Sequence, residues 1–259
     1  MNFDLPHLPE RTEKPRESGL TMVMDKGLSL REAENFVEVC SDYVDLLKLG
    51  FGTSLVTPGL KEKLNIYRQA GIKTYFGGTL FEAFVIRGKF DDFRSFLDEY
   101  GMEFAEVSDG SIILPHEEKL EYIRKLSAEV TVLSEVGTKS ADVPIADDVW
   151  VDYMNNELKA GSWKVIGEAR ESGTIGLYHK DGSANRSLID DIIKHINIDN
   201  VIWEAPNKAQ QVWFIKLLGA NVNVGNIAPA DIISLETLRL GLRGDTFYRF
   251  LPDELQIKS

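Results

Sequence analysis

The chain has 259 residues, 43% of them hydrophobic and 27% charged, enough apolar material for one large core and too balanced a composition for intrinsic disorder. Acidic residues outnumber Lys and Arg by 41 to 29, and the formal net charge of −12 argues against work mainly on nucleic-acid phosphates or an anionic membrane. A single cysteine, Cys40, excludes an internal disulfide, and the absence of CxxC or Cys/His ligand spacings excludes structural zinc.

The start, from Met1 to Pro6, lacks the basic and then apolar pattern of a secretion signal. No apolar run approaches the ~18 residues of a membrane span, so the sequence reads as cytoplasmic. Residues 1 to about 18 carry Pro6, Pro9 and Pro15 and are expected to lie across the molecule or at its rim. A first strand is predicted over residues 20–24. Ser29 with Glu32 has the form of a capping box and opens a helix with Ala33, Phe36, Val37 and Cys40 on one face, which makes Cys40 a packing residue. Further strands are predicted over residues 43–49, 72–76 and 104–107, with Gly71 and Gly101 ending the helices before the third and fourth. The second half repeats the pattern, with strands over residues 130–134, 164–167, 201–203 and 221–224.

Eight such units of alternating strand and helix predict a single-domain (β/α)₈ TIM barrel. An open doubly wound sheet is the competing architecture. It is disfavoured because no glycine-rich fingerprint follows the first strand; Gly50-Phe51-Gly52 lacks the third glycine.

In a barrel, chemistry sits at the carboxyl ends of the strands. There the sequence places Lys26, Lys48, Glu106, Ser108, Glu135, Lys139, Glu168, Arg170, Asn223, Gly225 and Asn226. Several carboxylates at one mouth repel unless a cation sits among them, and an all-oxygen set without a histidine pair favours Mg²⁺, held by carboxylates among Glu106, Glu135 and Glu168, directly or through water. The competing reading is a structural ion network of the same acids with Lys48, Lys139 and Arg170. Alternation puts Glu106 on the face of Phe104 and Glu168 on that of Ile166, and leaves open whether those faces point inward. The cations suggest an anionic substrate. Arg170 can grip a carboxylate or phosphate bidentately, and Lys48 and Lys139 can act as point charges, as proton carriers or as Schiff-base nucleophiles. The turns at Gly77-Gly78 and Gly225 offer N–H groups to phosphate. The four histidines form no ligand pair, and no GxSxG elbow is present.

Taken together, the strand-end words TMVMDKG (21–27), GGTLFE (77–82), EVSDGS (106–111), EARESG (168–173), EAP (204–206), NVNVGNI (221–227) and LRLGLRGDT (238–246), with Lys14-Pro15-Arg16 and Gln210-Gln211, resemble the phosphosulfolactate synthase family. The likeness runs in order from about residue 14 to 246. It departs at Lys159-Ala160-Gly161-Ser162 and at Thr138, neither of them among the candidate groups.

The resemblance implies a (β/α)₈ barrel acting as a carbon–sulfur lyase. Such an enzyme adds sulfite to C3 of phosphoenolpyruvate with Mg²⁺ and gives (2R)-O-phospho-3-sulfolactate for coenzyme M, free sulfolactate or sulfonolipid. On that expectation Lys139 delivers a proton to C2 and Lys48 neutralises the carboxylate. Arg170 with Gly225, Asn226, Asn223 and Ser108 holds the substrate, and Lys26 or Arg16 guides sulfite. The partners are small anions, with neither nucleic acid nor membrane, and the outer helices are compatible with a homo-oligomer. Two other functions stay open: a class I aldolase, and a non-catalytic stress-related barrel.

Overall fold

Parallel strands alternate with helices throughout the computed structural model, which describes residues 3–137, 146–170 and 172–256. The strands are β1 (Thr21–Asp25), β2 (Leu46–Leu49), β3 (Lys73–Phe76), β4 (Phe104–Val107), β5 (Thr131–Val136), β6 (Ser162–Gly167), β7 (Val201–Glu204) and β8 (Val224–Ile227). The α-helices are α1 (Leu30–Cys40), α2 (Leu60–Gln69), α3 (Gly78–Val85), α4 (Phe90–Glu99), α5 (His116–Ser127), α6 (Asp147–Ala160), α7 (Arg186–His195), α8 (Lys208–Leu218) and α9 (Ile232–Arg239). Strand order β3-β2-β1-β8-β7-β6-β5-β4 forms a nearly closed (β/α)₈ barrel, as expected, with one seam between β3 and β4.

Side chains bridge that seam. The backbone N–H of Gly78 donates to Glu106 Oε1 at 2.6 Å, and Ser108 Oγ donates to Glu82 Oε1 at 2.5 Å. The approach is so close that a Cβ on Gly78 would lie 2.2 Å from Ser108 Oγ.

Alternation sorts the strand residues into two apolar layers. Val23, Leu47, Ala105, Val132, Val165 and Trp203 face the helices, while Leu20, Met22, Leu46, Tyr75, Phe104, Leu133, Ile166 and Ile202 fill the barrel. Each large inner side chain removed from water contributes roughly 1.5–3 kcal/mol. The same parity continues toward the carboxyl ends: Lys48 follows Leu46, Glu106 follows Phe104, Glu135 follows Leu133, Glu168 follows Ile166 and Glu204 follows Ile202. The barrel is therefore apolar at its waist and ionic above it, which settles the inward direction of Glu106 and Glu168.

The Ser29 cap forms as the sequence predicts: Glu32 N donates to Ser29 Oγ and Ser29 N to Glu32 Oε2, and α1 buries Ala33, Phe36 and Cys40. The proline-rich segment crosses the amino-terminal end of the barrel, fastened by Arg11 to Glu236 at 2.9 Å and by Arg16 to Asp45 at 3.0 Å. Among the described residues no helix is long and apolar enough to cross a membrane.

The last strand departs from expectation, since β8 begins where the predicted strand ends. Asn223 is the reason. Besides its backbone carbonyl, which accepts from Trp203 N at 3.1 Å, its side chain accepts from Leu20 N at 3.0 Å and donates to the carbonyls of Asp199 and Val201 at 3.0 and 3.1 Å. The chain is thereby held at the amino-terminal end before it enters the ladder at Val224.

Candidate active site

A cavity of about 260 Å³ opens at the carboxyl ends of the strands, lined by Lys48, Glu106, Glu135, Glu168, Arg170 and Glu204. A larger hollow of about 330 Å³ lies at the opposite end. Three of its charged groups are paired: Arg16 with Asp45, and Lys14 Nζ with the carbonyls of Ser41 and Val44. Strand-end groups singled out in the sequence line the smaller cavity.

Its floor is organised by Lys48, whose Nζ lies 3.0 Å from Glu106 Oε2, 3.1 Å from Glu135 Oε2 and 3.3 Å from Glu204 Oε1. Burial alone would pull this ammonium down, but the three carboxylates outweigh it and hold Lys48 well above the usual lysine value. Glu106 is raised by burial against the pull of Lys48. Glu204 is pushed up to about 8, again by burial against Lys48. Two of these acids spend their second oxygen on backbone: Glu106 Oε1 accepts from Gly78 N, and Glu204 Oε2 accepts from Ala169 N at 2.8 Å. Glu204 is not among the carboxylates assigned to the site from the sequence. The parity rule applied to Ile202 would have found it.

A second buried ion group stands behind β5. Lys119 Nζ donates to the Glu135 carbonyl at 2.6 Å and pairs with Asp109 at 2.8 Å and Glu157 at 2.9 Å. It ties the loop after β4 and helix α6 to the backbone that carries Glu135. Asp109 stands in the strand-end word EVSDGS, whereas Lys119 and Glu157 lie on helices α5 and α6, where strand-end reasoning does not look.

Arg170 stands in the cavity wall on an exposed stretch after β6 and makes no ion pair with any described residue. Asn226, at the end of β8, also lines the cavity; its backbone is left-handed (φ 57°) and its Oδ1 is buried with no hydrogen-bond partner among the described residues. Lys26 follows β1 on the exposed rim, in a turn built on Asp25 Oδ1, which accepts from Gly27 N and Leu28 N. Ser108 is buried at the seam with its hydroxyl given to Glu82.

Three expected members of the mouth lie elsewhere. Arg16 and Asn223 sit at the amino-terminal end for the reasons given above. Gly225 is inside β8 against Met22, whose Cε would lie 2.6 Å from an added Cβ, so it forms no open phosphate turn. Lys139 lies outside the described residues.

Among the described residues no group of three or more His, Cys, Asp or Glu forms a ready metal cage. The donors nevertheless suit Mg²⁺, because the cavity offers carboxylate and amide oxygens, and this ion commonly takes one or two carboxylates together with oxygens of the substrate.

A family model described as (2R)-phospho-3-sulfolactate synthase (ComA) matches residues 9–245. A phosphosulfolactate synthase from Bacillus subtilis is 44% identical over 93% of this chain and 97% of its own length. One from Methanocaldococcus jannaschii is 46% identical over 89% of this chain and 94% of its own. In architecture the chain resembles 3-hexulose-6-phosphate synthase from Salmonella typhimurium, with a TM-score of 0.52 and 17% identity over 86% of this chain and 100% of that one. That likeness shows the barrel fold.

Proposed function

The chain belongs to the phosphosulfolactate synthase family, and from that premise we propose that it adds sulfite to C3 of phosphoenolpyruvate at the carboxyl-end cavity to give (2R)-O-phospho-3-sulfolactate. The observation that carries this reading is the pairing, in one cavity, of buried glutamates with an arginine that has no ionic partner among the described residues.

The sulfur lone pair of sulfite attacks C3, the double-bond electrons move onto C2 and its carboxylate, and C2 then takes a proton. Negative charge accumulates next to groups that are themselves negative: counting Glu106, Glu135, Glu168 and Glu204 against Lys48 and Arg170, the described ionisable groups sum to −2 when all are charged and to −1 with Glu204, raised to about 8, protonated. Binding a substrate with three negative charges there requires added positive charge. Carboxylates among Glu106, Glu135 and Glu168 would hold Mg²⁺, which when bound would supply that charge and stabilise the developing carboxylate dianion. Lys48 neutralises the cavity floor and fixes the three glutamates around it. Arg170 grips the phosphate through two parallel N–H donors, Asn226 contributes from the same cavity wall, and Lys26 guides sulfite at the rim. Lys139 delivers the C2 proton.

Imine formation needs a neutral amine, and Lys48 is held as an ammonium, so the class I aldolase reading loses one of its two candidate lysines.

The test is incubation of the full chain with phosphoenolpyruvate, sulfite and Mg²⁺, reading the product by mass. The expected result is phosphosulfolactate, abolished by EDTA and restored by Mg²⁺. A protein that binds phosphoenolpyruvate without forming the product would overturn the proposal.

A further inference from the structure

Arg170 stands on an excursion between β6 and α7 whose described residues carry little regular structure, two isolated bridges, Ala169 with Gly176 and Tyr178 with Ala184. A long arginine on such a loop holds an anion at a fixed place only if something outside the loop moulds it. The mould is the segment between β7 and the first turn of α8. Glu204 receives Ala169 N at 2.8 Å on Oε2, and its backbone carbonyl receives Tyr178 OH at 2.7 Å. Asn207 Nδ2 donates to Ser172 O at 3.2 Å.

Gln210 closes the set. Its Oε1 accepts from Asn207 N at 3.1 Å, which fixes the side chain, and its Nε2 donates to Gly173 O at 2.9 Å and to Gly182 O at 3.4 Å, at both limbs of the excursion. Gly173 N in turn donates to Arg170 O at 2.6 Å, closing the turn that presents the arginine. The contact is tight enough that a Cβ on Gly173, already at φ +68°, would lie 2.4 Å from Gln210 Nε2. Gln210 is 3% exposed, on the outer side of the excursion, and does not line the cavity.

We propose that Gln210 is a positioning residue for anion binding: by holding the carbonyls of Gly173 and Gly182 it fixes the backbone that aims Arg170 into the cavity. This rests on the assignment of Arg170 as the phosphate grip. A misplaced binding group loses affinity steeply, and a loss of binding common to ground and transition states falls on KM and not on kcat.

The experiment measures the dissociation constant of phosphoenolpyruvate by calorimetry, with its KM and kcat, in Arg170→Ala, Gln210→Leu and the double variant. Gln210→Leu is expected to weaken phosphoenolpyruvate binding on the order of tenfold, with the loss in KM and the KM for sulfite unmoved. The double variant is expected to bind no worse than Arg170→Ala alone, because the glutamine acts through the arginine. Gln210→Glu keeps the acceptor for Asn207 N and loses the donor to Gly173, so it reproduces the same loss if the leucine variant fails to fold. Additive losses in the double variant, or an unchanged dissociation constant in Gln210→Glu, overturn the positioning role while leaving Arg170 intact. Unchanged binding in Arg170→Ala overturns the phosphate assignment and the inference with it.

Discussion

Replacing Lys48 with methionine nearly preserves side-chain length while removing the ammonium that lies 3.0, 3.1 and 3.3 Å from Glu106, Glu135 and Glu204. The site is 6% exposed, so water does not take the place of the lost charge. Breaking a buried ion pair by removing one partner costs about 3–5 kcal/mol, because the remaining charge stays buried without compensation. A loss of about 1 kcal/mol moves the Tm of a chain of this size by roughly 2–4 °C, so the expected fall is about 6–20 °C at neutral pH. The deficit should shrink toward about pH 5, because Glu106 and Glu204, both already raised by burial, take up protons as pH falls and no longer need the missing charge. Thermal unfolding of metal-free protein, followed by circular dichroism at both pH values, reads both effects. A variant that melts within about 2 °C of the wild type at neutral pH would refute the view of Lys48 as the counter-ion of the cavity floor.

Other expectations concern single groups. Lys139→Ala should fold normally and lose about 10²–10⁴ in turnover, the usual cost of removing a general acid; a steady-state assay beside a melting curve decides it. Gly78→Ala would place a Cβ 2.2 Å from Ser108 Oγ and 2.8 Å from Glu106 Oε1, so overpacking should lower stability by about 1–3 kcal/mol in a denaturant titration. Glu204 has its carboxyl raised by burial to about 8 from an ordinary 4.5. The folded state therefore keeps a proton that the unfolded chain releases, and this contribution to stability is complete below about 4.5 and drains away as pH rises through about 8. Glu204→Gln, which stays neutral, should show a smaller fall in Tm between about pH 5 and about pH 8.5 than the wild type.

The barrel is legible in the sequence because buried parallel strands read as short apolar runs separated by helix-length amphipathic stretches. Its carboxylates are legible for the same reason, since Glu106 and Glu168 stand two residues beyond an inner-core side chain. Their roles are less so. Nothing local to Glu106 tells that the N–H of Gly78, far away in the chain, occupies one of its oxygens across the seam. The eighth strand misleads because Val222-Asn223-Val224 alternates like a strand, whereas Asn223 spends its side chain on backbone groups of three other segments. Arg16 misleads in another way. An arginine in an irregular segment carries no signal of which end of the barrel it reaches, and its partner Asp45 lies at the amino-terminal end. The moulding of the Arg170 excursion by Asn207 and Gln210 is written in EAPNKAQ only once the two loops are seen to touch.

The central claim is that this cavity joins sulfite to phosphoenolpyruvate and protonates C2. Running the reaction in D₂O and locating the label in the product by nuclear magnetic resonance tests it most directly. One deuterium at C2 and none at C3 is the predicted outcome. Product without deuterium at C2, or with deuterium at C3, would contradict the account.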